Sequence, residues 1–162
     1  MDSQPRTLRA RNPRPGGSRN GHGHCLLCGE LNPWSWRLSF VGGEAGGVRA
    51  TFRPDARLQG YDGILHGGVT AALLDASMTH CLFHLGVQGV TGDLHVRFLK
   101  PIPCATRLDL RAWVLSTAPP LTRLRAEVSY EGGLMAWAEA TFMDRARSKA
   151  RGGAPQSTHR SR

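Results

Sequence analysis

The sequence predicts an α+β domain in which an antiparallel sheet of about five to six strands wraps around one long central helix. Three observations support this class. A long apolar stretch follows the pair Gly67-Gly68, alternating apolar and polar residues fill most of the chain after it, and two shorter alternating segments precede it. A helix and a sheet with apolar faces bury those faces most simply against each other.

Two strands are expected before the helix. Residues 36–40 and 48–52 alternate between apolar and polar, and the glycine pairs between them are typical of a turn. Pro54 ends this hairpin, and a polar loop over residues 55–63 leads into the helix.

The helix is expected to run from about His66 to Phe83, with Gly86 just past its C-terminus, where positive φ is common. Its apolar residues fall on two faces, which indicates burial, and the stretch is too short and interrupted to span a bilayer. One face holds Val69, Ala72, Leu73, Ala76 and His80, and the other holds Ala71, Leu74, Met78, Cys81 and Leu85.

Four strands are expected after the helix, near residues 90–98, 108–114, 124–130 and 134–143, and Glu131-Gly132-Gly133 is the turn between the last two. Strict alternation divides the first of them between two faces. Val90, Gly92, Leu94, Val96 and Phe98 would share one face, and Thr91, Asp93, His95 and Arg97 the other.

The charge is concentrated at the two ends of the 162-residue chain. Residues 1–21 carry +4 and residues 145–162 carry +6, so residues 22–144 carry −1 of the total +9. We therefore expect one domain over residues 22–144 between two disordered basic tails, and no specific nucleic-acid function. The sequence has neither a secretory signal nor a membrane span, so the expected location is the cytoplasm.

Two features of the helix indicate chemistry. Asp75 lies among apolar residues, where an ionised carboxylate must be paired, hydrogen-bonded or catalytic; a purely structural pairing with Thr79 is the alternative. At the helix start, the Gly67 N–H is free to bind a carbonyl oxygen or an anion, although tight packing would also explain the glycine pair.

Helix geometry sets a condition on these two residues. Gly67 and Asp75 are eight residues apart, which corresponds to about 12 Å along a helix. They cannot both contact one reacting carbonyl, so a site that uses both must combine Gly67 of one chain with Asp75 of another.

The motif Cys25-x-x-Cys28-Gly29 is typical of one half of a zinc site. No second pair follows at usable spacing, and His22, His24 or His80 would have to be supplied by the fold. The expectation is a reduced turn with half-buried thiols and no metal.

Several of these residues together resemble the hot-dog thioesterases of the phenylacetate-pathway (PaaI) type. The resemblance covers about residues 24–143 and rests on four segments. They are Gly63-Ile64-Leu65-His66-Gly67-Gly68, Asp75 after six intervening residues, residues 90–98 with Pro101, and Cys25-x-x-Cys28-Gly29 with Asn32-Pro33.

This resemblance implies hydrolysis of an acyl-CoA thioester by a homodimer or homotetramer, with no cofactor. Gly67 would donate its N–H to the thioester carbonyl, Asp75 of the partner would act as general base or nucleophile, and Thr91 would orient the attacking water. His66 and Gly68 would shape the substrate-binding turn.

One departure from the family pattern lies six residues before His66. Many relatives carry Asn or Gln there, whereas this chain has Gly60, with Gln59 beside it as the substitute. Arg97 and Lys100 are the expected partners of the CoA phosphates. The departure keeps a second hypothesis open, in which the protein binds acyl-CoA or another acyl group without hydrolysis.

Overall fold

The computed structural model describes residues 20–145, which form one antiparallel sheet packed against helix α1, Gly67–His84. The strands are β1 Val41–Gly42, β2 Val48–Phe52, β3 Gly89–Phe98, β4 Leu108–Ala118, β5 Leu121–Tyr130 and β6 Gly133–Asp144. Their order across the sheet is β1-β2-β4-β5-β6-β3, so β3 forms one edge. The predicted α+β hot-dog arrangement is confirmed. The predicted tails lie outside the described residues, except for positions 20, 21 and 145.

Both ends of α1 agree with the prediction to within one residue. His66 caps the N-terminus, since its Nδ1 accepts a hydrogen bond from the Gly68 N–H at 2.9 Å. Gly86, with a φ of +75°, follows the C-terminal end. No helix within residues 20–145 has both the length and the apolar character that crossing a bilayer requires.

A row of alanines lets the helix lie close to the sheet. Ala112, Ala126 and Ala138 are cross-strand neighbours on β4, β5 and β6, and each is at most 1% exposed. Leu73 and Leu74 of α1 are fully buried in the same core. Small side chains at the centre of the sheet leave room for large ones on the helix, which is how a core reaches interior packing density.

The predicted first hairpin is wrong in its first strand. Only Val41–Gly42 pairs with β2, while residues 36–40 run outside the sheet. Arg37 has a φ of +56°, which breaks the extended backbone, and Leu38 donates its N–H to the Leu27 carbonyl rather than to a strand. Leu38 and Phe40 are nevertheless buried. The alternation of residues 36–40 therefore marks the side chains that face the core, although the backbone forms no strand there.

The predicted division of β3 into two faces is wrong before Asp93, because the strand has a bulge at Gly92. Thr91 pairs with Phe142 and Asp93 pairs with Thr141, so Gly92 is an extra residue in the ladder. The alternation changes phase there. Thr91 therefore faces the helix on one side of the bulge, and Leu94 does so on the other, where strict alternation had placed them on opposite faces.

We expect Ala126→Leu to destabilise the fold by about 1–3 kcal/mol, because a larger side chain at the centre of the row forces α1 away from the sheet. The measurement is the free energy of unfolding from chemical denaturation. Ala118→Leu at the exposed end of β4 is the control and should change it by no more than about 0.5 kcal/mol. Equal effects of the two substitutions would contradict the packing described.

Candidate active site

Asp75 lies in the middle of α1 and is tied to the edge strand of the sheet. Its Oδ1 accepts a hydrogen bond of 2.7 Å from the Thr91 hydroxyl on β3. The side chain is only partly exposed, between the buried residues Leu74 and Ala76. The helix thus holds the carboxylate at the side of the domain where the sheet ends.

The surroundings of Asp75 favour its protonated form. Burial raises the pKa of the Asp75 carboxyl above its usual value, while the Thr91 hydrogen bond and the nearby His22 lower it in part. A carboxylate with a raised pKa is a stronger base than an exposed one, and its hydrogen bond to Thr91 keeps it oriented.

The alternative prediction, that the Asp75 carboxylate is paired with the Thr79 side chain for structural reasons, is wrong. The Thr79 hydroxyl donates to the backbone carbonyl of Asp75 at 3.0 Å, one turn back along the helix. The carboxylate bonds to Thr91 instead, which leaves Oδ2 without a hydrogen-bond partner among residues 20–145.

At the helix N-terminus, the two glycines differ in what their N–H groups do. The Gly68 N–H is occupied by His66, which gives both residues a shaping role in the turn. The Gly67 N–H has no acceptor among the described residues, and Gly67 is exposed. A Cβ at position 67 would lie 3.6 Å from the Phe98 ring, an ordinary contact, so close packing does not require glycine here.

The loop before the helix places Gly60 against His66, where a Cβ at position 60 would lie 3.4 Å from the imidazole ring. A side chain at this position would therefore project beside the helix start. Gln59 does not replace it here, because its Oε1 accepts from the Gly63 N–H at 3.0 Å and closes the loop. The helix N-terminus therefore lacks a side-chain amide from either residue.

Arg97 and Lys100 lie at the C-terminal end of β3, and both are exposed. Arg97 points away from the helix, cross-strand from Trp137. Neither residue forms an ion pair with another residue in the described range. Both cations are available to an external anion.

Within a single chain, Gly67 and Asp75 do not meet to form one site. Gly67 and Asp75 share α1, so the spacing inferred from the sequence applies, about 12 Å along the axis. Two pockets of about 840 and 510 Å³ lie elsewhere, and neither is lined by Gly67, Asp75 or Thr91.

Sequence reasoning missed two neighbours of the site. His22 lies close enough to influence the Asp75 carboxyl, and its ring packs edge-on to Phe83 at 4.7 Å. Phe98 lies beside Gly67. No sequence pattern joins His22 to the helix. The alternation placed Phe98 at the end of a strand, but it did not indicate that Phe98 lies beside Gly67.

Comparison with known proteins bears on the fold and on the family. A model of the thioesterase superfamily matches residues 62–134, which include α1 and β3. Among curated proteins, no sequence matches the chain.

Three solved structures illustrate the likeness of fold. A thioesterase superfamily protein is 27% identical with a TM-score of 0.67, and the match covers 71% of this chain and 60% of that one. A phenylacetic acid degradation-related protein from Ralstonia eutropha JMP134 is 25% identical with a TM-score of 0.61, covering 67% and 85%. A Streptococcus pneumoniae TIGR4 thioesterase-fold protein, solved with coenzyme A, is 19% identical with a TM-score of 0.63, covering 67% and 88%.

The chain thus spans about 60% of the length of the first of these structures. The residues that match the family model contain the helix, its glycine pair, Asp75 and Thr91. The TM-scores of 0.67 and 0.61 show that the fold is shared with the first two solved structures. The chain therefore resembles the thioesterase superfamily over residues 62–134 and shares the hot-dog fold of these solved structures.

Proposed function

We propose that the protein hydrolyses an acyl-CoA thioester at sites formed between two copies of the chain. Two groups on one helix carry this proposal: a partly buried, oriented Asp75 carboxylate and a Gly67 N–H that has no acceptor among residues 20–145. The helix holds them too far apart to act together within one chain. The match of residues 62–134 to the thioesterase superfamily model supports the reaction class.

The edge strand supports assembly as a two-fold dimer. β3 is ten residues long, and its outer edge has no partner strand in the described chain. A long unpaired edge with exposed apolar residues, here Val90 at 53% and Phe98 at 57%, is a template for pairing with a second chain. Antiparallel pairing of β3 with itself would make the two sheets continuous.

The bulge gives this pairing a register that fits the chemistry. Directly opposed residues of an antiparallel pair lie on the same face. A two-fold axis at His95, with Gly92 as the extra residue, would set Thr91 opposite the partner's Phe98, both on the helix side. Since Thr91 holds Asp75 and Phe98 lies beside Gly67, this register would bring each carboxylate toward the other chain's helix N-terminus.

The proposed reaction proceeds in two steps. The Asp75 carboxylate accepts a proton from a water molecule, and the resulting hydroxide adds to the thioester carbonyl carbon. The Gly67 N–H of the other chain stabilises the oxygen that becomes negative. The intermediate then collapses, the carbon–sulfur bond breaks, and the CoA sulfur leaves with the proton that Asp75 had taken. Direct attack by the carboxylate, followed by hydrolysis of the anhydride, uses the same groups.

Coenzyme A is the proposed carrier of the acyl group. The Streptococcus pneumoniae protein of the same fold was solved with coenzyme A. In this chain, Arg97 and Lys100 are exposed cations at the end of β3, with no ion-pair partner among residues 20–145. Phe98, from the same end of the strand, lies beside the helix N-terminus. We assign them to the CoA phosphates, which carry the negative charge that such side chains bind.

Gly60 favours a second candidate function, binding of an acyl group without turnover. A side-chain amide at this position would project beside the helix N-terminus, and Gln59 is held in its own loop. A panel of short aliphatic, long aliphatic and aromatic CoA esters separates the two functions. Release of the free thiol identifies an enzyme, whereas saturable binding without thiol release identifies a carrier.

We expect the acid limb of the pH profile of kcat/KM to lie above the usual carboxyl range. Burial raises the pKa of Asp75, and only the ionised form can accept a proton. Thr91→Val removes a hydrogen bond that lowers this pKa, so the limb should move to still higher pH. Thr91→Ser keeps the hydroxyl and should leave the limb close to its original position. An unchanged limb in Thr91→Val would contradict the assignment of Asp75 as the base.

We expect Asp75→Asn and Gly67→Pro each to lower kcat/KM by about 10²-fold or more. Proline at the first helical position removes the N–H without breaking a helical hydrogen bond, and His66 already has the extended backbone, φ −62° and ψ 134°, that a following proline requires. Gly67→Ala is the matched control, since it keeps the N–H and its methyl fits beside Phe98. The measurement is thiol release from the CoA-ester panel.

Stability and assembly should survive both substitutions. Because the pKa of Asp75 is raised by folding, its contribution to stability is present at low pH and is lost as pH rises through the folded-state value. Asp75→Asn should therefore unfold at neutral pH at a temperature no lower than the wild type. Sedimentation should show a dimer or larger assembly for all variants. An active monomer, or full activity of Asp75→Asn, would refute the proposed site.

A further inference from the structure

The segment that precedes the sheet brings together three groups that bind transition metals. The ligand atoms of His22, Cys25 and Cys28 all lie within 4.8 Å of one another, and each residue is half-buried. The sequence supplied two ligands and predicted no metal; the fold adds His22 as the third. We propose that His22, Cys25 and Cys28 bind one zinc ion, a site that does not depend on the thioester chemistry.

The distances suit tetrahedral zinc. The Cys28 sulfur lies 3.7 Å from His22 Nδ1. With zinc–sulfur and zinc–nitrogen bonds of about 2.3 and 2.05 Å at a tetrahedral angle, the two ligand atoms would be about 3.6 Å apart. Small side-chain rotations would bring the remaining pairs, now within 4.8 Å, to the same separation.

The turn itself is built as a metal-binding knuckle. The Leu27 N–H donates to the Cys25 sulfur at 3.4 Å, which stabilises the thiolate form that a metal requires. Gly29 closes the turn, and a Cβ there would lie 2.4 Å from the Cys25 nitrogen, so only glycine is accommodated. Backbone this tight fixes the two sulfurs on the same side.

The balance of charge also fits zinc. Zinc binding would displace one proton from each thiol, and two thiolates with a divalent ion and a neutral imidazole leave no net charge in the half-buried turn. In the cytoplasm, the location expected from the sequence, thiols are kept reduced and available to a metal.

A pocket that reaches helix α1 lies beside two of the three ligands. A pocket of about 510 Å³ is lined by His22, Cys28 and His80. His80 Nε2 is buried and has no hydrogen-bond partner among the described residues, although its ring is stacked on Phe40 at 4.5 Å. A buried nitrogen without a partner carries a cost that a hydrogen bond to a zinc-bound water would remove.

Zinc would also fasten this segment to the domain. His22 packs against Phe83 of α1, and Trp36 and Leu38 hydrogen-bond to the Leu26 and Leu27 carbonyls. A metal bound to His22 and both cysteines would link the part of the segment that packs on Phe83 to the part that hydrogen-bonds to Trp36 and Leu38. Since metal affinity adds to folding free energy, removal of zinc should lower the unfolding temperature.

The test is the zinc content of the full chain, purified under reducing conditions without chelator and measured by mass spectrometry of the metal. We expect about one zinc ion per chain in the wild type and loss of most of it in Cys25→Ser and Cys28→Ser. Cys104→Ser, a half-buried thiol outside the knuckle, is the matched control and should keep its zinc. Cobalt substitution should give thiolate-to-cobalt absorption in the wild type and in Cys104→Ser alone.

A second measurement guards against variants that fail to fold. Wild-type protein stripped by a chelator should unfold several degrees lower, and added zinc should restore the original temperature. Three results would overturn the proposal: wild-type zinc content no higher than that of Cys25→Ser, equal loss in Cys104→Ser, or a Cys25–Cys28 disulfide in metal-free protein from a reduced preparation.

Discussion

The geometry of one helix constrains the whole candidate site. Because α1 rises about 1.5 Å per residue, the N–H at its start and the carboxylate in its middle are held about 12 Å apart, and no side-chain motion can bring them together. Their separation is as rigid as the helix. Chemistry that uses both groups must therefore be shared between two copies of the chain, and the assembly becomes part of the active site.

The rest of the fold can be understood as support for this arrangement. The alanine row on β4, β5 and β6 lets α1 lie close to the sheet, and the sheet order leaves β3 at the edge. Thr91 then ties Asp75 to that edge, while Phe98 lies beside Gly67 at the other end of the same strand. A strand with both contacts can present the carboxylate and the helix N-terminus of opposite chains to each other.

The burial of Asp75 links stability and function. A carboxylate among apolar residues lowers the stability of the folded protein when it is ionised, and the Thr91 hydrogen bond offsets only part of this cost. The same burial makes the carboxylate a better base. If Asp75 served stability alone, an uncharged residue would stabilise the fold better. The partly buried environment of its carboxylate therefore indicates a catalytic role.

Much of this was predictable from the sequence. The limits of α1 followed from His66, the glycine pair and Gly86, and the later strands followed from their alternation. The place of Thr91 did not, because the bulge at Gly92 reverses the phase of β3 and a period of two cannot reveal it; only the family resemblance indicated that residue. Residues 36–40 alternate because Leu38 and Phe40 are buried, although the backbone makes no sheet there. The approach of His22 to Cys25 and Cys28 depends on the path of the chain, which spacing alone does not define.

The central claim is that the two groups act across the interface, and mixed dimers test it most directly. Asp75→Asn and Gly67→Pro chains, each inactive alone, would be unfolded together, refolded at equal concentration and assayed for thiol release. If the site is shared, every mixed dimer has one site with both groups intact and one with neither, so the mixture should recover about a quarter of wild-type activity. Mixed dimers that form but remain inactive would contradict the account, because each chain would then need both groups of its own.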